Sequence, residues 1–142
     1  MSGYLLDTSP LAALLHNREA AVSLIRPWLL DHEAATSILA YGEVIEYLKP
    51  HADYARRAHD LRQLLRGVTP YALTYAIMAR YAELRLRMRR PYGPGLIGDV
   101  DTLIAATALE HRLNLVTTDT DFQRVPDLSV LLLDRDTLKI RP

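Results

Sequence analysis

The sequence predicts an α/β fold: three layers, with a short, mostly parallel central sheet between helices. Two observations carry this. Short apolar runs, among them Tyr4-Leu5-Leu6, Leu115-Val116 and Leu128 to Leu133, alternate along the whole chain with longer stretches of helical periodicity. Alternation of this kind builds a parallel sheet covered by helices on both faces. The second sets the scale: 142 residues, 49% of them apolar and 24% charged, suffice for one domain with a real core. No repeat, low-complexity segment or linker divides the chain, so residues 1–142 are expected to form a single domain.

Taken in order, Tyr4-Leu5-Leu6 reads as a first strand, stopped by Asp7-Thr8-Ser9-Pro10. Ser9 can cap the helix that follows and Pro10 suits its first position. Leu11, Leu14 and Leu15 give that helix its apolar face. A second helix spans Glu19 to Leu30, with Pro27 expected to kink it or end it early. Glu33-Ala34-Ala35 is a weak second strand, after which Thr36 or Ser37 caps a helix from Ile38 to Leu48. Ala52 to Leu65 forms another helix, closed by Gly67, and Val68-Thr69 a very short strand. Thr74 opens a longer helix to about Met88, with Ile77, Tyr81, Leu84 and Met88 on one stripe. Pro91-Tyr92-Gly93-Pro94-Gly95 is a loop. The next helix runs from about Asp99 to His111, then the Leu115-Val116 strand and the run Leu128 to Leu133. The tail from Asp134 is polar, with a last short strand expected at Leu138-Lys139-Ile140.

Composition excludes several classes of chemistry. There is no cysteine, so disulfides and thiolate metal sites are impossible, as suits a reducing, cytoplasmic setting. Tyr4-Leu5-Leu6 is too short for a targeting segment, and no run approaches the ~20 apolar residues of a membrane helix. The five histidines, His16, His32, His51, His59 and His111, are scattered without metal-ligand spacing. No Ser/His/Asp or Cys/His pair is credibly placed for nucleophilic catalysis.

The zero net charge hides a division. Residues 1–50 hold three Lys/Arg against six Asp/Glu, residues 51–90 nine against three, and residues 91–142 five against eight. A basic middle between acidic ends can mark a polyanion partner or an ordinary helical surface.

The acids are more informative by position. In a parallel sheet ligands gather beyond the carboxyl ends of the strands. Asp7 follows the first strand directly, and Asp119 and Asp121 follow Leu115-Val116. Asp101, with Asp99, heads a helix that can aim at the same edge. Each acid has an ordinary reading too. Asp7 could only cap, Asp99 and Asp101 could only complement a helix dipole, Asp119 and Asp121 could only form a turn, and Glu43 and Glu46 could only be solvated. Together, they make an all-oxygen donor set of the kind that holds Mg²⁺ or Mn²⁺. The hydroxyls of Thr8, Ser9, Thr117 and Thr118 stand close in sequence to support them.

Four segments, LLDTS (Leu5–Ser9), SILAYGEVIE (Ser37–Glu46), DTLIAATAL (Asp101–Leu109) and LVTTDTDF (Leu115–Phe122), resemble the PIN domain, and within it the VapC-type toxins of toxin–antitoxin pairs. RVPDLSVL, Arg124 to Leu131, resembles the stretch that follows in such toxins, and the likeness covers nearly the whole chain. It implies a PIN-like α/β/α fold and a metal-dependent ribonuclease site. Matched residue by residue, the four acids fall on Asp7, Glu43, Asp101 and Asp119. Asp121 is a further candidate ligand, and Ser9 and Thr117 are supporting positions. Glu46 remains an alternative to Glu43, and Asp99 is extra to the quartet. The resemblance further implies a Mg²⁺ (or Mn²⁺) cofactor, an RNA substrate, a VapB-type antitoxin partner and a homodimer. Arg85, Arg87, Arg89 and Arg90, with Tyr81 and Tyr92 among them, become candidate RNA contacts. The expected function is a Mg²⁺-dependent endoribonuclease toxin. The alternatives are a catalytically weak metal- or RNA-binding module and a housekeeping RNA-processing nuclease. A signalling receiver domain fits poorly. Asp7 stands alone after its strand, Pro70 follows Val68-Thr69, and no lysine occurs between Lys49 and Lys139.

Overall fold

The structure, a computed structural model, describes residues 3–138. Five strands form one sheet: β1 (Tyr4–Leu6), β2 (Ala34–Ser37), β3 (Thr69–Tyr71), β4 (Asn114–Thr117) and β5 (Val130–Leu132). Their order across the sheet is β3-β2-β1-β4-β5, and every neighbouring pair is parallel. The helices are α1 (Thr8–Leu15), α2 (Glu19–Leu30), α3 (Ile38–Leu48), α4 (Tyr54–Leu64), α5 (Tyr75–Met88), α6 (Asp99–His111) and a short α7 (Arg135–Leu138). A 3₁₀ turn, Thr120–Arg124, links β4 to β5.

The three layers follow from the two-residue period of the strands. Leu6, Ala34 and Val116 face one side, where Leu11, Leu14, Ile25, Val44, Leu48 and Leu61 of α1 to α4 close a core. Leu5, Ala35 and Leu115 face the other, against Ile77, Leu84 and Met88 of α5 and Ile104, Ala105 and Ala108 of α6. Because both faces are covered, the central strands carry buried residues at consecutive positions instead of alternating ones. Edge strand β3 tolerates Pro70, since its outer side has no strand to pair with.

The chain winds from β1 outward to β2 and β3, then crosses back to place β4 on the other side of β1. The direction of winding therefore reverses between β1 and β4, and in such sheets the crevice at that reversal is where ligands bind.

Several local expectations are corrected. Helix α1 starts at Thr8, because the Leu11 amide already bonds to the Asp7 carbonyl at 3.1 Å. Asp7 thus occupies the cap position, Ser9 is inside the helix and Pro10 is its third residue. Pro27 does not end α2, which runs on to Leu30. The second strand is shifted to Ala34–Ser37, and Ser37 caps α3 by accepting from the Ala40 amide at 3.0 Å, while Thr36 instead donates to the Leu6 carbonyl. At the far end, Leu138 is helical and not extended, and Lys139-Ile140 lie outside the described residues.

Candidate functional site

Asp7 leaves the end of β1 with its carboxylate buried, only 8% of the residue being exposed. Although it holds the cap position of α1, its side chain makes no capping bond. It instead accepts a hydrogen bond from Thr117 Oγ1 at the end of β4, 2.7 Å away. The register explains this. Leu6 lies beside Val116, so the next residues along, Asp7 and Thr117, meet across the winding reversal. The Thr117 oxygen also accepts from the Asp119 amide at 3.0 Å, so a single hydroxyl ties the first acid to the backbone that carries the last.

Asp119 and Asp121 are set by the 3₁₀ turn. The Asp119 carboxylate accepts from the Asp121 amide at 2.9 Å, and Phe122, fully buried in the core behind them, anchors the turn. Glu43 comes from α3. Its carboxylate accepts from Thr8 Oγ1 at 2.6 Å, which fixes this residue at the end of β1. Glu46, exposed one turn further along α3, makes no side-chain hydrogen bond or ion pair among the described residues. Asp101 stands half-buried in the first turn of α6.

Electrostatics show how these acids meet. Burial pushes the Asp7 carboxyl above its ordinary 3.8. Hydrogen bonds from Thr117 and the Thr8 amide oppose the shift, and the charges of Glu43 and Asp119 add to it. The Asp101 carboxyl is pushed up to about 6, first by burial and then by the charges of Asp7, Asp119, Glu43 and Asp121. Three separate elements, the end of β1, α3 and the 3₁₀ turn, therefore bring carboxylates within electrical reach of Asp101. They do not form a finished cage: among the described residues, no three acids or histidines are gathered closely enough to hold a metal ion as they stand. The two facts concern different ranges. Charges repel across distances well beyond one coordination shell, and the same repulsion keeps bare carboxylates apart. The donor chemistry suits a hard divalent cation, which would reverse the repulsion that raises Asp101.

The other candidates fall elsewhere. Asp99 pairs with Arg85 at 2.7 Å and lies 3.5 Å from the Tyr81 hydroxyl, binding α6 to α5. Ser9 makes no side-chain hydrogen bond among the described residues, whereas its neighbour Thr8 does. Arg87 pairs with Asp127 at 3.2 Å, and Arg89 donates to the Arg85 carbonyl. Arg90 has no ion pair among the described residues. Arg124 escapes sequence reasoning. Its one signal is a place three residues after Asp121, with which it pairs at 3.3 Å.

Comparison with known proteins agrees with the fold. The PIN domain family model matches residues 4–128. Among solved structures, a chain of VapBC2 from Rickettsia felis, bound to a DNA fragment from its promoter, superposes with a TM-score of 0.80 at 20% identity, over 92% of this chain and 98% of that one. VapBC-1 from nontypeable Haemophilus influenzae gives 0.77 at 24% identity, over 91% and 96%. A toxin–antitoxin complex from Klebsiella pneumoniae gives 0.69 at 25% identity, over 91% and 96%. No curated protein matches the sequence.

Proposed function

The chain belongs to the PIN domain family, and from that premise we propose that it is a divalent-metal-dependent endoribonuclease, the toxin of a VapBC-type pair. The observation that carries this reading is the hydroxyl of Thr117, which joins the Asp7 carboxylate to the backbone of Asp119 at the winding reversal of the sheet. Asp7, Glu43, Asp101 and Asp119 would hold Mg²⁺ or Mn²⁺, with Asp121 as a further candidate. Such an ion, when bound, activates water and stabilises charge on a phosphodiester. The chain's own groups prepare that site. Thr117 and the Thr8 amide orient the Asp7 carboxylate. Thr8 steadies Glu43. Phe122 fixes the turn bearing Asp119. On this reading substrate is positioned against the acids and the attacking group is water, not a side chain.

The likeness to VapBC complexes supports an antitoxin partner, and a homodimer is part of the same proposal. The test is cleavage of RNA by partner-free protein with Mg²⁺, with chelator, and by Asp101→Asn. Cutting that needs the ion and vanishes in the variant is expected. Binding of Mg²⁺ without cleavage of any RNA would instead favour a metal- or RNA-binding module. For the toxin claim, expression without a partner should arrest growth and Asp7→Ala should not. Normal growth with well-expressed wild-type protein would leave a housekeeping nuclease.

A further inference from the structure

The 3₁₀ turn carries two acids, and they are held differently. Asp119 turns one carboxylate oxygen back onto the Asp121 amide at 2.9 Å, which fixes the two backbones together. Phe122 and Val125, both buried, anchor the turn to the core. What stays adjustable is the Asp121 side chain, which is 53% exposed and pairs with Arg124, three residues on, at 3.3 Å. Asp121 is the one acid within 4.0 Å of that guanidinium among the described residues.

The pairing shows at the acidic site. Asp121 follows Asp119 by two residues, yet of the four acids whose charge reaches Asp101 it adds the least. A guanidinium partner acts in that direction, drawing the carboxylate aside. Arg124 also has room to let go. It borders an open groove of about 560 Å³, with Tyr92, Pro94 and Pro126 among the other walls. A divalent ion among the acids would pull Asp121 the opposite way. Sharing the carboxylate would set a guanidinium and a doubly charged ion one carboxyl group apart, where they repel.

We propose that Arg124 is a positioning residue for the metal site: it holds Asp121 in reserve beside the acids, and an ion must displace it to gain Asp121 as a ligand. The inference rests on the metal-dependent reading and deepens it, since Arg124 then sets how tightly the site takes its ion. Arg124 acts through Asp121 alone.

The test measures Mn²⁺ binding to the full-length metal-free protein by the electron paramagnetic resonance of free Mn²⁺. A salt concentration of about 0.15 M largely screens distant charges. Arg124→Gln is expected to tighten binding about 2- to 5-fold, the span of an exposed ion pair. Arg124→Met, which keeps the stem against the groove, should tighten it equally. Arg124→Lys, which keeps a cation in reach of Asp121, should return most of the way to the wild type. Asp121→Asn should loosen binding, and Arg124→Gln added to it should change nothing further. Equal tightening by Arg124→Gln with and without the Asp121 carboxylate would overturn the proposal, because the arginine would then act through space. So would wild-type affinity in both Arg124→Gln and Arg124→Met.

Failure of the underlying reading looks different. Mn²⁺ binding that survives Asp101→Asn unchanged, or no binding by the wild type, sinks the metal site and this proposal together. Binding lost in Asp101→Asn yet indifferent to Arg124 and Asp121 sinks this proposal alone.

Discussion

Thr117 Oγ1 donates to Asp7 Oδ2 across 2.7 Å, joining the ends of two strands whose residues lie 110 apart in sequence. The same oxygen accepts the Asp119 amide. Thr117→Val keeps the shape and removes both bonds. Without its donor the Asp7 carboxyl rises further, which favours a proton over a cation. Supporting groups of this kind typically contribute about 10–100-fold to metal affinity. A loss of that order is expected in calorimetric Mg²⁺ titration, with Thr117→Ser restoring most of it. Unchanged affinity in the Val form would show that the bond serves folding alone.

Asp101 makes stability depend on pH. Its carboxyl is raised to about 6 in the folded chain against 3.8 as the ordinary value, so between those limits the native state holds more protons than the unfolded state. Stability of the metal-free protein must then fall as pH rises from about 4 through 6. Asp101→Asn removes that slope and should stabilise the metal-free protein at pH 7.5 by about 1 kcal/mol, after discounting for the solvent around a half-exposed carboxyl. Melting curves in chelator at pH 5 and pH 7.5 measure this. A variant that melts below the wild type at the higher pH would contradict it.

Adding the ion should act in the opposite sense. At ten times its dissociation constant, Mg²⁺ would stabilise the wild type by about 1.4 kcal/mol. A rise of a few degrees in Tm is expected at pH 7.5, and none in Asp7→Asn or Asp101→Asn. An equal rise in all three would place the ion away from these acids.

Glu43 and Glu46 can be told apart. Only Glu43 is held by Thr8, at 2.6 Å. Glu43→Gln should lower RNA cleavage about 100-fold or more, on the scale of losing a metal-supported interaction. Glu46→Gln should stay within about twofold, as an exposed surface change should. The reverse pattern would move the second acid one helical turn.

Gly93 is required by space. A Cβ there would stand 2.1 Å from the Arg87 carbonyl oxygen and 2.8 Å from Met88 Cα, both backbone atoms that cannot swing aside. Gly93→Ala should destabilise the protein by about 1–3 kcal/mol through overpacking. Urea unfolding at pH 7.5 reads this directly.

What could be read in the sequence depended on how local its cause was. The bounds of α6, Asp99 to His111, follow from its own first-turn acids and apolar pattern. The alternation of strand and helix gave the layers, because both faces of the sheet must be covered. The acids at strand ends were legible for the same reason. Glu43 was not separable from Glu46, since residues three apart share a helix side and the deciding contact, Thr8, is 35 positions away. The arginines were harder still. Whether a cation is free depends on a partner such as Asp99, 14 residues from Arg85, or Asp127, 40 from Arg87.

The position of β1 between β2 and β4 has a consequence for timing. Asp7 is made early and Thr117 110 residues later. At roughly 5–20 residues per second of synthesis, roughly 5–20 s separate them on the ribosome. Throughout that interval β1 has one unpaired edge, open to pairing with another chain. Insertion of β4 seals that edge and brings Thr117 and Asp119 to Asp7 in the same event, so on the proposed reading exposure of the edge and possession of the site exclude each other.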